Sequence, residues 1–276
     1  MLFRVFCDLV LKIFMKRITL YYKDIDLKTF PKEVYETENL QLLCFDNTGL
    51  QSLPEDLNFL SNLEIFDITH NPVQHIPDSI KELKNLKFLY LSYLELTGLP
   101  DAIGDLPNLF YLNICYNKIE KLPAYIGNLE SLIEFRAYDN FLKNLPDEFT
   151  KLHSLKEIHL NKNHLTSLPN EIGNLSNLQK LILEDNKITS LPESICSLTN
   201  LLELNLRNNN LSFLPENISN LKTLQYLDLR NNKLTSLPDG IHELPNLRKL
   251  DLRWNENLEL PKWIEGLQAS GCIVYY

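Results

Sequence analysis

From Leu40 onward the chain repeats itself every 23 residues, with leucine opening each period at Leu40, Leu63, Leu86, Leu109, Leu132, Leu155, Leu178, Leu201, Leu224 and Leu247. An unbroken period of this length marks a stack of small identical units rather than a single compact core. Each period reads LxxLxLxxNxLxxLPxxIxxLxx. The xxLxLx stretch alternates apolar and polar, as a strand with one buried face requires. The Asn and the Leu-Pro pair then punctuate turns. One period is therefore a strand plus a return loop. Alone, it buries too little apolar surface to offset the entropy of ordering its backbone, so neighbours must stack. One period earlier, Leu20, Tyr22, Leu27, Phe30, Pro31 and Val34 preserve the pattern, so a worn first unit starts near Arg17 and residues 17–269 hold eleven repeats.

The second half of the period, as in LTSLPDGIHELPN at 234–246, carries LPxxIxxL. This resembles the leucine-rich-repeat family, in its 23-residue subclass, and is similar to Ras-group intracellular scaffold proteins, their plant relatives and bacterial repeat proteins. The resemblance implies an α/β, right-handed, curved solenoid. Its parallel β-sheet would line the concave face, with loops or short 3-10/α turns on the convex one, and a protein partner would bind in the concavity. It also implies a buried ladder of Asn71, Asn117, Asn140, Asn163, Asn186, Asn209, Asn232 and Asn255 bonding the backbone of adjacent turns, which suits a side chain with both donor and acceptor. Ile25, Thr48 and Leu94 occupy the Asn slot in three repeats, and an altered turn is expected around Leu94.

The open ends of a solenoid need covers. In residues 1–16, Arg4, Asp8, Lys12 and Lys16 recur every fourth residue, one polar stripe on an otherwise apolar helix. This reads as an N-terminal amphipathic capping helix. A membrane-surface anchor or export signal and a true start at Met15 are the competing readings. At the other end PKWIEGLQASG predicts a short helix closed by Gly271. Residues 270–276 predict a capping strand with Ile273 and Tyr275 pointing inward.

Apolar residues make up 44% of the chain, a globular rather than a disordered composition. The net charge of -9, from 36 acids against 27 bases, repels a phosphate backbone, so nucleic acid is a poor partner. No apolar run reaches the roughly 18 residues of a transmembrane helix, though residues 1–16 could touch a membrane surface peripherally. Five scattered cysteines, Cys7, Cys44, Cys115, Cys196 and Cys272, show no paired spacing and predict reduced thiols. The resemblance implies a cytoplasmic, monomeric scaffold, with a bacterial secreted or surface-exposed effector or adhesin that binds a host molecule by the same face as the alternative.

Strand residues alternate faces, so the third, fifth and seventh positions of each repeat, with the eighth beside them, face the concavity. On three neighbouring strands these positions hold Phe88, Tyr90, Tyr93, Tyr111, Tyr116 and Tyr138, an aromatic patch suited to anchoring a protein. Covering an exposed sheet is the alternative role. Farther on, Arg207, Arg230 and Arg253 stack on successive strands beside Trp254, with Glu203, Asp228 and Asp251 in alternate slots. They can grip carboxylates or phosphates, or form a self-neutralising network. The middle strands carry Glu157, His159, Lys162, His164, Glu184 and Asp185, which read as a solvated polar face. No spacing converges metal ligands, and phosphate loops, nucleophile elbows and dinucleotide fingerprints are absent, so neither cofactor nor metal nor catalysis is expected.

Overall fold

A computed structural model describes residues 18–276, and the helix expected over 1–16 lies outside them. The strands are β1 (Thr19–Lys23), β2 (Leu42–Asp46), β3 (Ile65–Asp67), β4 (Phe88–Tyr90), β5 (Tyr111–Asn113), β6 (Glu134–Arg136), β7 (Glu157–His159), β8 (Lys180–Ile182), β9 (Glu203–Asn205), β10 (Tyr226–Asp228), β11 (Lys249–Asp251) and β12 (Ile273–Tyr275). They form one parallel sheet in sequence order. Register is set by the period: Leu43, Phe66, Leu89, Leu112 and Phe135 align across β2–β6. Opposite the sheet run 3-10 turns such as Asp101–Asp105, Ala124–Asn128 and Asp147–Lys151, each preceded by the Pro of the Leu-Pro pair. Proline fixes φ near the value the first turn needs and has no N–H to leave unpaired. Between the two layers the repeated Leu and Ile side chains, with Phe45, Phe66, Phe135 and Phe149, make one continuous core. The fold is a leucine-rich-repeat solenoid.

The eight asparagines are buried and bond backbone on both sides. Asn117 donates from Nδ2 to the carbonyls of Leu91 (2.8 Å) and Ile114 (3.0 Å), while its Oδ1 accepts from Leu96 N–H (3.1 Å). Thr48, in the Asn slot, instead donates both its N–H and its hydroxyl to Asn71 Oδ1 at 3.0 Å. The altered turn expected at Leu94 does not occur. Leu94 is buried in the core, and Tyr93 before it has φ 54°, the same as Tyr116 one repeat later. Backbone bonds to the next repeat hold the turn, as Tyr93 N–H donates to Cys115 O at 3.0 Å.

The C-terminal phase also differs from expectation. Helix α1 (Lys32–Glu36) packs in the first repeat, and α2 (Ile264–Ala269) leads through Gly271, φ +98°, into β12. Val274 aligns with Leu250 and packs on the core, whereas Ile273 and Tyr275 are exposed on the sheet face. The step from Leu250 to Val274 is one residue longer than the period, and a slip of one residue sends every side chain to the other face.

Cys44, Cys115, Cys196 and Cys272 are unpaired and buried. Burial pushes the thiols of Cys115 and Cys196 up to about 12 and about 11, so they stay protonated and unreactive. No helix among the described residues is long and apolar enough to cross a membrane.

Candidate functional site on the sheet face

The eighth position of every repeat has a left-handed backbone, with φ 55° at Asp24, 56° at Asn47, 57° at Asp139 and 54° at Asn208. Asp and Asn tolerate this region, whereas bulky side chains are strained there by about 1 kcal/mol. His70 (57°), Tyr93 (54°), Tyr116 (54°) and Trp254 (64°) nevertheless occupy it. The rings of His70, Tyr93 and Tyr116, with Tyr138 beside them, make a contiguous ledge on the sheet face, and Trp254 stands apart from it near the C-terminal end. His70 stacks on Tyr93 at 4.4 Å, Tyr93 on Tyr116 at 4.0 Å, and Tyr138 meets Tyr116 edge-on at 5.1 Å. His70 is anchored by its Nδ1, 2.9 Å from Asp46 Oδ1. Tyr93 is 43% exposed. Desolvation first, then the neighbouring Tyr116 hydroxyl, pushes the Tyr93 phenol up to about 12, so this phenol stays protonated at physiological pH.

The expected patch is thus two groups rather than one. Phe88, Tyr90 and Tyr111 form a floor, with Tyr111 at 6.4 Å from Phe88 and 5.0 Å from Tyr90. Tyr111, expected to face a partner freely, is only 7% exposed, and the Arg136 guanidinium lies 6.0 Å from its ring centre. It supports the floor from within. His70 was missed from the patch, although it shares the eighth slot with Tyr93 and Tyr116 and reading that column would have found it.

The arginine ladder is answered internally. Arg230 Nε bonds both Asp228 oxygens at 2.9 and 3.0 Å, and Arg253 bonds Asp251 at 2.9 and 2.7 Å. Arg207 pairs with Glu184 of the preceding repeat at 3.3 Å rather than with Glu203, which faces Lys180 at 3.5 Å. Trp254, 57% exposed, has Arg207 and Arg253 guanidinium carbons at 5.8 and 5.5 Å from its ring centre. Asp251 is fully buried. Burial raises its carboxyl, but the Arg253 hydrogen bond and the charges of Arg230 and Arg253 outweigh this and hold it below the ordinary value. Its stabilisation is therefore present above the unfolded-state value of about 3.9 and is lost as pH falls through the lower folded value. Asp251→Asn is expected to remove about 2 kcal/mol at neutral pH, because two guanidinium groups lose their shared partner. Urea unfolding at pH 7 and below pH 3 checks this, and the gap from wild type should narrow in acid.

Glu134, Glu157 and His159 bring three ligand-type atoms within 4.8 Å of one another. Their charges are already met: Arg136 Nε bonds Glu134, His159 Nε2 lies 3.2 Å from Glu157, and Lys180 lies 4.0 Å from Glu157. A shallow recess over β9–β11 is lined by Glu203, Tyr226 and Lys249, and Lys249 lies over the Tyr275 ring at 5.5 Å. Exposed Tyr226, in the third slot, is a further aromatic that sequence reading passed over.

Two family models match, one described as a leucine-rich repeat region over residues 80–162 and 147–210, the other as leucine rich repeat over 199–256. Among curated proteins none matches this sequence. A leucine-rich-repeat protein of Leptospira interrogans is 29% identical with a TM-score of 0.50, covering 94% of this chain and 89% of that one. The leucine-rich-repeat ectodomain of the Arabidopsis thaliana receptor kinase GASSHO1/SCHENGEN3, solved with CASPARIAN STRIP INTEGRITY FACTOR 2, is 26% identical with a TM-score of 0.64, over 94% of this chain. The Arabidopsis receptor kinase HAESA, solved with the peptide hormone IDA and a co-receptor, is 28% identical with a TM-score of 0.64, over 74% of this chain. The chain spans 34% and 38% of those two receptor chains. With these models tiling residues 80–256 and the same stacked-strand architecture recurring in its structural neighbours, the chain belongs to the leucine-rich-repeat family.

Proposed function

We propose that this protein is a non-catalytic interaction module that holds a protein partner on the concave sheet face, anchored by the ledge of His70, Tyr93, Tyr116 and Tyr138 above the floor of Phe88 and Tyr90. The carrying observation is that the rings of Tyr93 and Tyr116 fill left-handed backbone positions where Asp or Asn would sit with less strain, and that Tyr93 is exposed and Tyr116 half-buried there. Strain kept at an exposed site points to selection for something other than stability. The ring set offers rigid, half-buried contact area of the kind that dominates protein interfaces. Arg207, Arg230, Arg253 and Trp254 would form a second, polar part of the surface.

The double variant Tyr93→Asn/Tyr116→Asn tests the reading. Relief of left-handed strain roughly offsets lost ring stacking, so folding stability should stay within about 1 kcal/mol of wild type. Affinity for a partner captured from lysate, then purified and titrated, should fall about tenfold or more. Unchanged affinity in the folded variant would move the interface off the ledge.

A protein that meets its partner outside the cytoplasm is the second reading, favoured by the receptor ectodomain among the neighbours. Cell fractionation distinguishes it: the chain in the soluble cell lysate supports the cytoplasmic reading, and the chain in the medium or on the surface supports this one.

A further inference from the structure

The arginine ladder has one rung that its own repeat does not close. Asp228 and Asp251 stand two residues before Arg230 and Arg253, whereas neutral Asn205 stands before Arg207. Arg253 Nε and Nη2 bond Asp251 at 2.9 and 2.7 Å, and Arg230 Nε bonds both Asp228 oxygens. The Asn205 amide is taken up elsewhere: its Nδ2 donates to Glu184 Oε2 at 3.1 Å, and its Oδ1 accepts from the Arg207 backbone N–H at 3.1 Å. Glu184 meets Arg207 at Nη1, 3.3 Å away. Arg207 Nε is then the one buried side-chain nitrogen or oxygen among the described residues without a hydrogen-bond partner. Protein interiors pair such groups, so an orphaned donor points to an acceptor that arrives from outside. Leaving it unmet costs the free protein stability that the acceptor returns. Beside Asn205 the sheet is open, since the recess over β9–β11 is lined by Asn205, Tyr226 and Asp228.

We propose that Arg207 seats the carboxylate of an Asp or Glu side chain presented by the protein partner, in the place that Asp228 and Asp251 fill in the next two rungs. Those rungs show the fit, because the planar edge of a guanidinium takes a planar carboxylate with Nε and a terminal nitrogen. Holding two acids is no obstacle: Arg230 Nε meets Asp228 and, at 3.5 Å, Asp251 as well. A phosphate fits less well, since it brings up to twice the negative charge to a surface that already carries Glu184, Asp185, Glu203 and Asp228. The exposed Trp254 ring, 5.8 Å from the guanidinium carbon, is the side chain that swings aside for the ligand. From β6, which leads to Tyr138 of the ledge, β9 is about 14 Å away at roughly 4.8 Å per strand, so one extended segment reaches both. The inference rests on the sheet face being the binding surface.

The test selects binders of the full chain from random dodecapeptides displayed on phage, then titrates synthetic versions against wild type, Tyr93→Asn/Tyr116→Asn, Arg207→Gln and Asn205→Asp. The expected result is acid-bearing peptides whose affinity drops with the ledge variant. Arg207→Gln should weaken them about tenfold or more, and replacing the peptide's acid by its amide should weaken them equally on wild type and little further on Arg207→Gln. Asn205→Asp keeps Arg207 but gives the rung a carboxylate of its own, so it should weaken them as strongly by occupying the seat. Circular dichroism shows that both variants fold. Peptides without an acid, or acidic peptides that bind Arg207→Gln as well as wild type, overturn the Arg207 seat, and their dependence on the ledge leaves the sheet-face reading standing. Peptides indifferent to the ledge variant and to Arg207→Gln overturn both.

Discussion

Asn163→Ala is expected to lower folding stability by about 4 kcal/mol. The side chain is buried, with Nδ2 donating to Ala137 O at 2.9 Å and Leu160 O at 3.0 Å, and Oδ1 accepting from Leu142 N–H at 3.0 Å. Removing it strands several buried backbone groups at once, and each unpaired one costs about 1 to 3 kcal/mol. Asn163 also sits mid-stack, where the interface it bridges joins two long arrays. Because repeats stabilise each other only through neighbours, urea unfolding of this variant should split into two steps, whereas Asn255→Ala near the end should weaken one end without splitting the transition. A single transition within about 1 kcal/mol of wild type would mean that the ladder does not hold the repeats together.

Gly127→Ala is expected to cost about 3 kcal/mol, an effect out of proportion to one methyl group. A Cβ at Gly127 would lie 2.3 Å from the Glu148 carbonyl oxygen and 2.8 Å from its carbon, and backbone cannot rotate away as a side chain can. The 3-10 turns of adjacent repeats would have to separate, opening the packing on either side. A Cβ added at Gly104 would lie 2.3 Å from Tyr125 O, and one at Gly173 2.2 Å from Ser194 O, so the same loss is expected there. Gly98→Ala is the control, since nothing lies within 4 Å of its added carbon. Equal melting temperatures for Gly98→Ala and Gly127→Ala would show that the turns are free to move apart. The same slot holds buried Thr150 and Cys196 in other repeats, so glycine is needed only where the turns approach most closely.

The sequence by itself determined the strand positions, the parallel order, the leucine core and the asparagine slots. These follow from an alternation written inside each period and copied without a gap, so local pattern and global register cannot conflict. It also determined which columns lie on the sheet face away from the leucine core. It did not determine how deeply each of those side chains is buried. Tyr111 and Tyr90 share a face, yet Tyr111 is buried and Tyr90 half-buried, a difference set by ring spacing on adjacent strands and the reach of Arg136. Arg207 turned to Glu184 rather than Glu203 for the same kind of reason, a choice between two acids made by rotamers and spacing. The left-handed backbone under Tyr93, Tyr116 and Trp254 was hidden because nothing in an aromatic residue signals positive φ. The face of β12 was decided by a single extra residue between Leu250 and Val274, which a repeat pattern that has already ended cannot report. Contacts within one period are legible from its residues. Contacts between periods depend on how closely the turns stack, and only the tertiary structure sets that distance.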